Sequence, residues 1–561
     1  MTRRILCIML VFLLAISIVG CGGATAPAAS SSSAAASTEA STEASTEASA
    51  STEASESAAA PADWTAPFAE PVDVHIALGE VVNAKFAEGE DMTNNLWTKR
   101  WKEKYNVNVI VDWISAEYDT KLNLAIASGN LPDAFTCNIV QLNQLIEAGQ
   151  IQDLKASYES AASNSIKSMM TNNLDIVDTA TVDGKMFAMP RLHYGYDCET
   201  SFMWIREDWR AAAGVADVAT ITDYEALMDT FMKKNGAKFG TMLDKTLEQF
   251  FKMSASFHAA PNIWVEGEDG SIVYGATQPQ TKNMLATWAE WYKKGYLRKD
   301  FASLDNAAML EDANTGAVGT FVQLNWGGWQ VGKQIVDNQG EGTYFMGHEL
   351  PSIDNQKMMF PIKFNNFTYH VVRKDYAHPE VLQKLTNDYC YVLNDAIAEG
   401  TMTIDEVMPF GSNVMHHVTG PFKVEFDSYR DVEEVHKAFE TGEAKFSTGY
   451  GSLYYAEAKK WVDNKDLTSL GRWLQMGTKN ATLYMGNRHF DNDQILKSKL
   501  WGASPTAVLD YGTTLDDLLI EGYTKIIMGV EPVDYYDTLI DDWRKAGGDE
   551  ATAAVNEMYG K

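Results

Sequence analysis

Two short stretches of this 561-residue chain place flat rings beside groups that pair with hydroxyls. The first is Arg191-Leu-His-Tyr194-Gly-Tyr196-Asp197, and the second is Asn325-Trp326-Gly-Gly-Trp329. An indole or phenol ring offers a platform for an apolar C–H face. Asp, Asn and Arg side chains present paired donors or acceptors. Together they suit a mostly apolar pocket with a few placed polar groups. The glycines beside Trp326 and Trp329 would let a ligand approach the backbone closely. Asn138, just past a predicted strand, is a further candidate. The competing reading is packing. With 15 Trp and 24 Tyr, most rings must be core. Trp97, Trp101, Trp288 and Trp291 sit at helical spacing and are assigned there. Arg191 serves equally well as the partner of a structural carboxylate.

Catalytic and metal motifs do not compete with this reading. The chain has no His-Glu-x-x-His, no Gly-x-Ser-x-Gly and no phosphate-cradling Gly-x-x-x-x-Gly-Lys-Ser/Thr. His416-His417 has no ligand-spaced carboxylate or cysteine beside it and reads as a loop pair. Asp312-Ala-Asn314-Thr-Gly316 echoes the start of a calcium loop but lacks the later bidentate Glu, so it reads as a turn. Glu266, Glu268 and Asp269 around Gly270 read as a solvated hairpin tip. The expectation is therefore no catalytic residue, no metal and no cofactor. A formal charge of −30 argues against nucleic acid or anionic lipid as partner, since both need a basic surface. Of five cysteines, Cys137, Cys198 and Cys390 lie in the body, an odd set that fits no zinc or redox spacing. They read as small buried hydrophobes.

The elements that must position these groups alternate strand with helix. Val72 to Leu78 and Val107 to Trp113 have period-two character. Asn94 to Tyr105 has helical spacing, as does Tyr118 to Ala127, which Gly129-Asn130-Leu131-Pro132 stops. This alternation predicts βαβ units and a largely parallel sheet. Thr222-Asp-Tyr-Glu225 resembles a capping box opening a helix through Lys234. Further helices are predicted over Pro279 to Lys294 and Pro379 to Ile397. The last two run roughly Leu515–Met528 and Val533–Ala546, stopped by Gly547-Gly548.

The N-terminus reads differently. Arg3-Arg4 precedes a mostly apolar run from Ile5 to Val19, shorter than a spanning helix needs. Ile18-Val19-Gly20-Cys21 resembles the bacterial lipobox, in which the thiol is acylated and becomes the mature N-terminus. The alternative is an ordinary signal peptide with an incidental cysteine. Residues 22–62 are nearly all Gly, Ala, Ser, Thr, Glu and Pro, with Ser-Thr-Glu-Ala recurring from Ser37 through Ala54. Such a segment has no apolar surface to bury. As a flexible coil it would reach roughly 35 Å. The expected organisation is a lipoprotein signal over 1–20, a lipidated Cys21 with its tether over 21–62, and a body over 63–561. A body of that length calls for two domains or lobes.

Six motifs in order along the body carry a resemblance. They are Ala127-Ser-Gly-Asn-Leu-Pro-Asp-Ala-Phe135, Val182-Asp-Gly-Lys-Met-Phe-Ala-Met-Pro190, and Trp204-Ile-Arg-Glu-Asp-Trp-Arg210 with Ala213-Gly214. Gly270-Ser-Ile-Val-Tyr-Gly275, Lys293-Lys-Gly-Tyr-Leu297 and Ala317-Val-Gly-Thr-Phe321 complete them. The C-terminal stretch from Ile526 to Tyr559, with Gly529, Asp534-Tyr535, Trp543 and Gly547-Gly-Asp-Glu550, follows the same pattern. The chain resembles the extracellular solute-binding lipoproteins of bacterial carbohydrate ABC importers, the large oligosaccharide-binding group of the family 1 type. That resemblance implies an α/β, two-lobed periplasmic-binding-protein-like fold, with hinged lobes and a ligand cleft between them. It places the first lobe near 66–185 and 305–375, the second near 190–300 and 380–505, and C-terminal helices over 510–561 that pack back across the lobes.

The resemblance also implies which groups face the cleft. Arg191, Tyr194, Tyr196 and Asp197 follow the Asp-Gly-Lys hairpin, where the family's chain enters it. Trp326 and Trp329 follow a strand after which the family often places a stacking tryptophan. Trp501, ahead of Ser504-Pro505, matches an aromatic-to-proline segment near the cleft, and Asn138 follows the third strand. The implied function is capture of an oligosaccharide or other sugar by lobe closure, and delivery to the transmembrane subunits of an ABC permease. The protein is then a monomer outside the cytoplasm, bound to the membrane only through Cys21. Two other readings stay open: an extracellular glycoside hydrolase, which needs two carboxylates about 5–9 Å apart, and a lipoprotein that reports ligand to a sensor kinase.

Overall fold

Apolar alternation makes Val72–Gly79 a strand, with Val74, Ile76 and Leu78 buried and Asp73 facing water. The computed structural model describes residues 63–81, 86–171, 173–191, 200–364, 368–397, 399–403, 406, 417–423 and 428–560. In it Val72–Gly79 pairs in parallel with Val107–Ser115 on one side and with Ala134–Cys137 on the other. Tyr369–Val372 then adds antiparallel to Ala134–Cys137, and Met189–Pro190 forms the edge. The expected parallel character thus holds for three strands only. The chain that returns at Tyr369 enters from the opposite end.

Helix Leu96–Tyr105 covers one face of this sheet with Trp97, Trp101 and Tyr105, all essentially inaccessible. These are packing residues, as their i, i+4, i+8 spacing predicts. Asn95 starts the helix by accepting from the Trp97 and Thr98 amides, and the Thr98 hydroxyl accepts from the Asn95 amide. Asn95→Ala is expected to cost about 1 kcal/mol, read as a lower urea midpoint at unchanged slope.

Helix Glu380–Tyr391 is locked against this one by a buried carboxylate. Asp388 is fully buried and accepts from Arg100 at 2.7 and 2.9 Å, from Lys104 at 2.8 Å and from the Tyr105 hydroxyl at 2.8 Å. Burial by itself raises such a carboxyl; the Arg100 and Lys104 contacts outweigh it and hold Asp388 below its ordinary value. One turn earlier on the same helix, Lys384 donates to the Trp64 and Ala66 carbonyls at 2.9 and 2.5 Å. That contact pins the start of the body to the first lobe.

The second sheet is wholly antiparallel, with Ser201–Arg206 between Thr320–Leu324 and Phe345–His348. Every residue of the central strand is buried. Trp204 is completely enclosed, and its indole nitrogen is 3.2 Å from both the Gln323 and Leu324 carbonyls. Helix Pro279–Lys294, at the predicted bounds, buries Trp288 and Trp291. Helices Thr506–Ile527, Tyr535–Trp543 and Asp549–Tyr559 share that core through Leu519, Tyr523, Trp543 and Val555. The capping box lies two residues earlier than expected. Thr220 and Asp223 cap each other and start Ile221–Thr230, while Glu225 accepts from Trp291 Nε1 and from Lys294.

Pairing shares the chain between lobes differently from the expected boundaries. Thr320–Leu324 lies in the second sheet, so of the expected first-lobe stretch 305–375 only its end, Tyr369–Val372, pairs in the first. Conversely Glu380–Tyr391, expected in the second lobe, buries Val381, Leu385 and Tyr389 in the first core. Among the described residues, helix Gly449–Asn464 joins the two lobes. That 16-residue helix, about 24 Å long, carries Tyr450 in the first core and Trp461 in the second.

Candidate functional site

Two chambers lie beside the parallel pair Phe360–Ile362 and Ile495–Lys497. A chamber of about 490 Å³ lies against Ser201 and Leu324, at the hinge end of the second sheet. A smaller one of about 300 Å³ reaches from Ile139 of the first lobe to Leu515 and Trp543 of the terminal helices. Asn262, Lys363 and Phe364 face both. Both volumes lie within the size of a site for one or a few small rings.

The larger chamber combines aromatic rings with ionic groups. Phe251, Phe360 and Phe364 supply apolar faces; Lys252, Glu248, Thr246 and Ser254 supply hydrogen-bonding groups. Lys252 hydrogen bonds to Glu248 and Gln323, and Glu248 also accepts from Asn306 at 3.1 Å. Burial pushes the Lys252 ammonium below its ordinary value, against the pull of Glu248. The Gln323 amide donates onward to Gln330 at 2.9 Å. A hydrogen-bonded chain therefore runs from the chamber floor into helix Gly327–Gln339.

The sequence candidates fall into three groups. Tyr194, Tyr196, Asp197, Cys21, Cys198 and His416 lie outside the described residues. Arg191 and Trp501 form the second group: the Arg191 amide donates to Thr368 at 2.9 Å. Trp501 packs edge-on to Phe364 at 5.4 Å and 69°, with the Lys497 ammonium 5.1 Å from its ring centre. Lys497 in turn meets Asp175 of the first lobe at 2.6 Å. Asn138 is a helix cap, exchanging hydrogen bonds of 3.0 Å with Gln141, one residue before Ile139 of the smaller chamber. Trp326 and Trp329 are 37% and 43% exposed, outside both chambers but next in chain to Leu324 of the larger one.

The glycines between those tryptophans have a different cause from the one expected. A Cβ on Gly327 would stand 2.4 Å from Trp204 Nε1, and one on Gly328 2.6 Å from Leu474 Cδ1. They admit the Trp204 ring and Leu474 to the start of the helix. Trp329 itself rests on Gly471, with the Arg472 guanidinium 5.4 Å from its ring centre. Asp312 pairs with Arg298 at 3.1 Å, and Gly316, at φ 73°, follows the helix Asn306–Asn314, which accounts for that motif as a turn. Cys137 and Cys390 are buried, and burial raises both thiols, that of Cys390 to about 12. Lys252, Glu248, Lys363 and Phe364 had no sequence signal, because each belongs to an element with no motif of its own.

Residues 97–367 match the model of a family described as bacterial extracellular solute-binding protein. The lipoprotein LipO of Bacillus subtilis (strain 168) is 22% identical over 481 residues, which is 82% of this chain and 87% of that one. The polygalacturonan/rhamnogalacturonan-binding protein YtcQ of the same organism is 19% identical over 476 residues, 81% of this chain and 86% of that one. Among solved structures, an HMO binding, ABC-transporter associated solute binding protein from Bifidobacterium longum infantis superposes with a TM-score of 0.56 at 13% identity. It covers 87% of this chain and 98% of its own.

Proposed function

The chain belongs, through residues 97–367, to the bacterial extracellular solute-binding proteins, and from that premise we propose that it is the capture component of an ABC importer for an oligosaccharide. The observation that carries the reading is the larger chamber. Aromatic faces and hydrogen-bonding groups of the second lobe meet there beside Phe364, which packs against the first-lobe core, so a sugar's C–H faces and hydroxyls find partners together. A ligand that touches both lobes only when they approach shifts the population toward the closed form. Capture needs no bond to be made or broken. YtcQ, a relative over most of its length, is named as a polygalacturonan/rhamnogalacturonan-binding protein, which supports a sugar as the ligand class. In this reading Trp501, packed on Phe364 of the chamber wall, and Arg191 flank the bound sugar. Trp326 and Trp329 extend the aromatic surface at the rim. The protein works as a monomer outside the cytoplasm, held by lipidated Cys21 and its Ser/Thr/Glu/Ala tether, and hands its ligand to the permease subunits.

The test is intrinsic tryptophan fluorescence and melting temperature across a panel of plant and microbial oligosaccharides. At least one sugar class is expected to give a saturable shift. At a hundredfold excess over Kd it should add about 2.7 kcal/mol of stability, with no product formed over hours. Silence across the panel, or turnover of the sugar, would sink the reading.

A further inference from the structure

We infer that the larger chamber is a carboxylate-reading subsite, in which Lys252 and Lys363 select an oligosaccharide built from uronic-acid units. The inference rests on the oligosaccharide reading above and adds the charge of the ligand. The chain as a whole carries −30, yet this chamber is lined by two ammonium groups and one carboxylate, Glu248. Glu248 is already engaged, by Lys252 and by Asn306. The Gln323 side-chain oxygen beside it accepts from Lys252 and from the Leu324 amide. An ammonium has three donors. Lys252 uses two, its side chain is only 12% exposed, and its third donor has no acceptor among the described residues.

Lys363, across the chamber, forms no hydrogen bond or ion pair among the described residues. Asp516, the carboxylate whose field reaches it, lines the smaller chamber and not this one. A neutral sugar hydroxyl would satisfy Lys252's third donor but form no ion pair with Lys363. A carboxylate does both, and its field stabilises the partly dehydrated ammonium that burial disfavours. Phe251, Phe360 and Phe364 leave room for the ring faces that carry the acid group.

The test is calorimetric titration of the purified protein with trigalacturonic acid and with its fully methyl-esterified form, which differ in charge. The acid is expected to bind about tenfold or more tightly, the worth of a charge-assisted hydrogen bond. That preference should shrink at high salt. Lys363→Met should remove most of it without lowering the melting temperature, since Lys363 is exposed. Lys252→Met should remove it as well; where that variant is less stable, Lys363→Met and the salt dependence carry the decision. Equal binding of acid and ester overturns the inference and leaves the oligosaccharide reading standing. So does binding confined to neutral sugars of the wider panel. Failure to bind any sugar overturns both.

Discussion

Asp388→Ala is expected to destabilise the protein by about 3 kcal/mol, the cost of leaving a buried phenol and two partly buried cations without their shared acceptor. Four donors, two from Arg100 and one each from Lys104 and the Tyr105 hydroxyl, converge on this one carboxylate. Its removal strips the joint between helices Leu96–Tyr105 and Glu380–Tyr391. Both helices lie over the first sheet, so the loss should appear as a lower melting temperature with a far smaller change in ligand affinity. Asp388→Asn keeps two acceptor sites and should recover part of the stability. The same group gives acid sensitivity with a definite sign. Its carboxyl sits below its ordinary value in the folded protein, so its contribution is fully present above about pH 4 and is lost as pH falls through the lowered folded value. Thermal melts from neutral to acid pH should show the difference between the native protein and Asp388→Asn narrowing at the acid end.

Trp204→Ala is the second large effect, about 3–5 kcal/mol from the cavity left by a buried indole. Its consequence reaches the site. Gly327 and Gly328 lie against that ring, and the indole N–H holds the Gln323 and Leu324 carbonyls, at the strand end that lines the chamber. Unlike Asp388→Ala, this variant should lose affinity at temperatures where it remains folded. Trp204→Phe should retain most of the packing and reveal the part due to the hydrogen bonds. Calorimetry at a temperature well below each melting point separates the two losses. Affinity unchanged in a folded Trp204→Ala protein would show that the helix start does not depend on the ring.

What was legible in the sequence is what repeats locally. Val72–Gly79 and Pro279–Lys294 follow from periodicity over one element. Features built from distant residues were not. Arg100 and Asp388 are 288 residues apart, and Lys252 and Gln323 are 71 apart; no spacing rule joins them. The lobe boundaries failed for a related reason. Thr320–Leu324 is an apolar strand that either sheet could take, and only its register against Ser201–Arg206 decides. Gly327 and Gly328 mark a close approach, as glycines do, but the approaching group is Trp204 from a distant strand. Asn138 carries a polar side chain at a strand end, and capping of Ile139–Glu147 occupies its carbonyl.

Helix Gly449–Asn464 has a mechanical consequence. Thr448 caps it, Gly449 lies so close to Leu393 that a Cβ would stand 2.5 Å from its carbonyl oxygen, and Trp461 meets Trp473 at 5.9 Å. A shaft socketed at both ends denies the two halves a free swing apart, because gaping would pull either Tyr450 or Trp461 out of its socket. Torsion around the shaft leaves both seated. Closure of the two walls is thus expected to run as rotation about the shaft, which brings them together without unseating either ring.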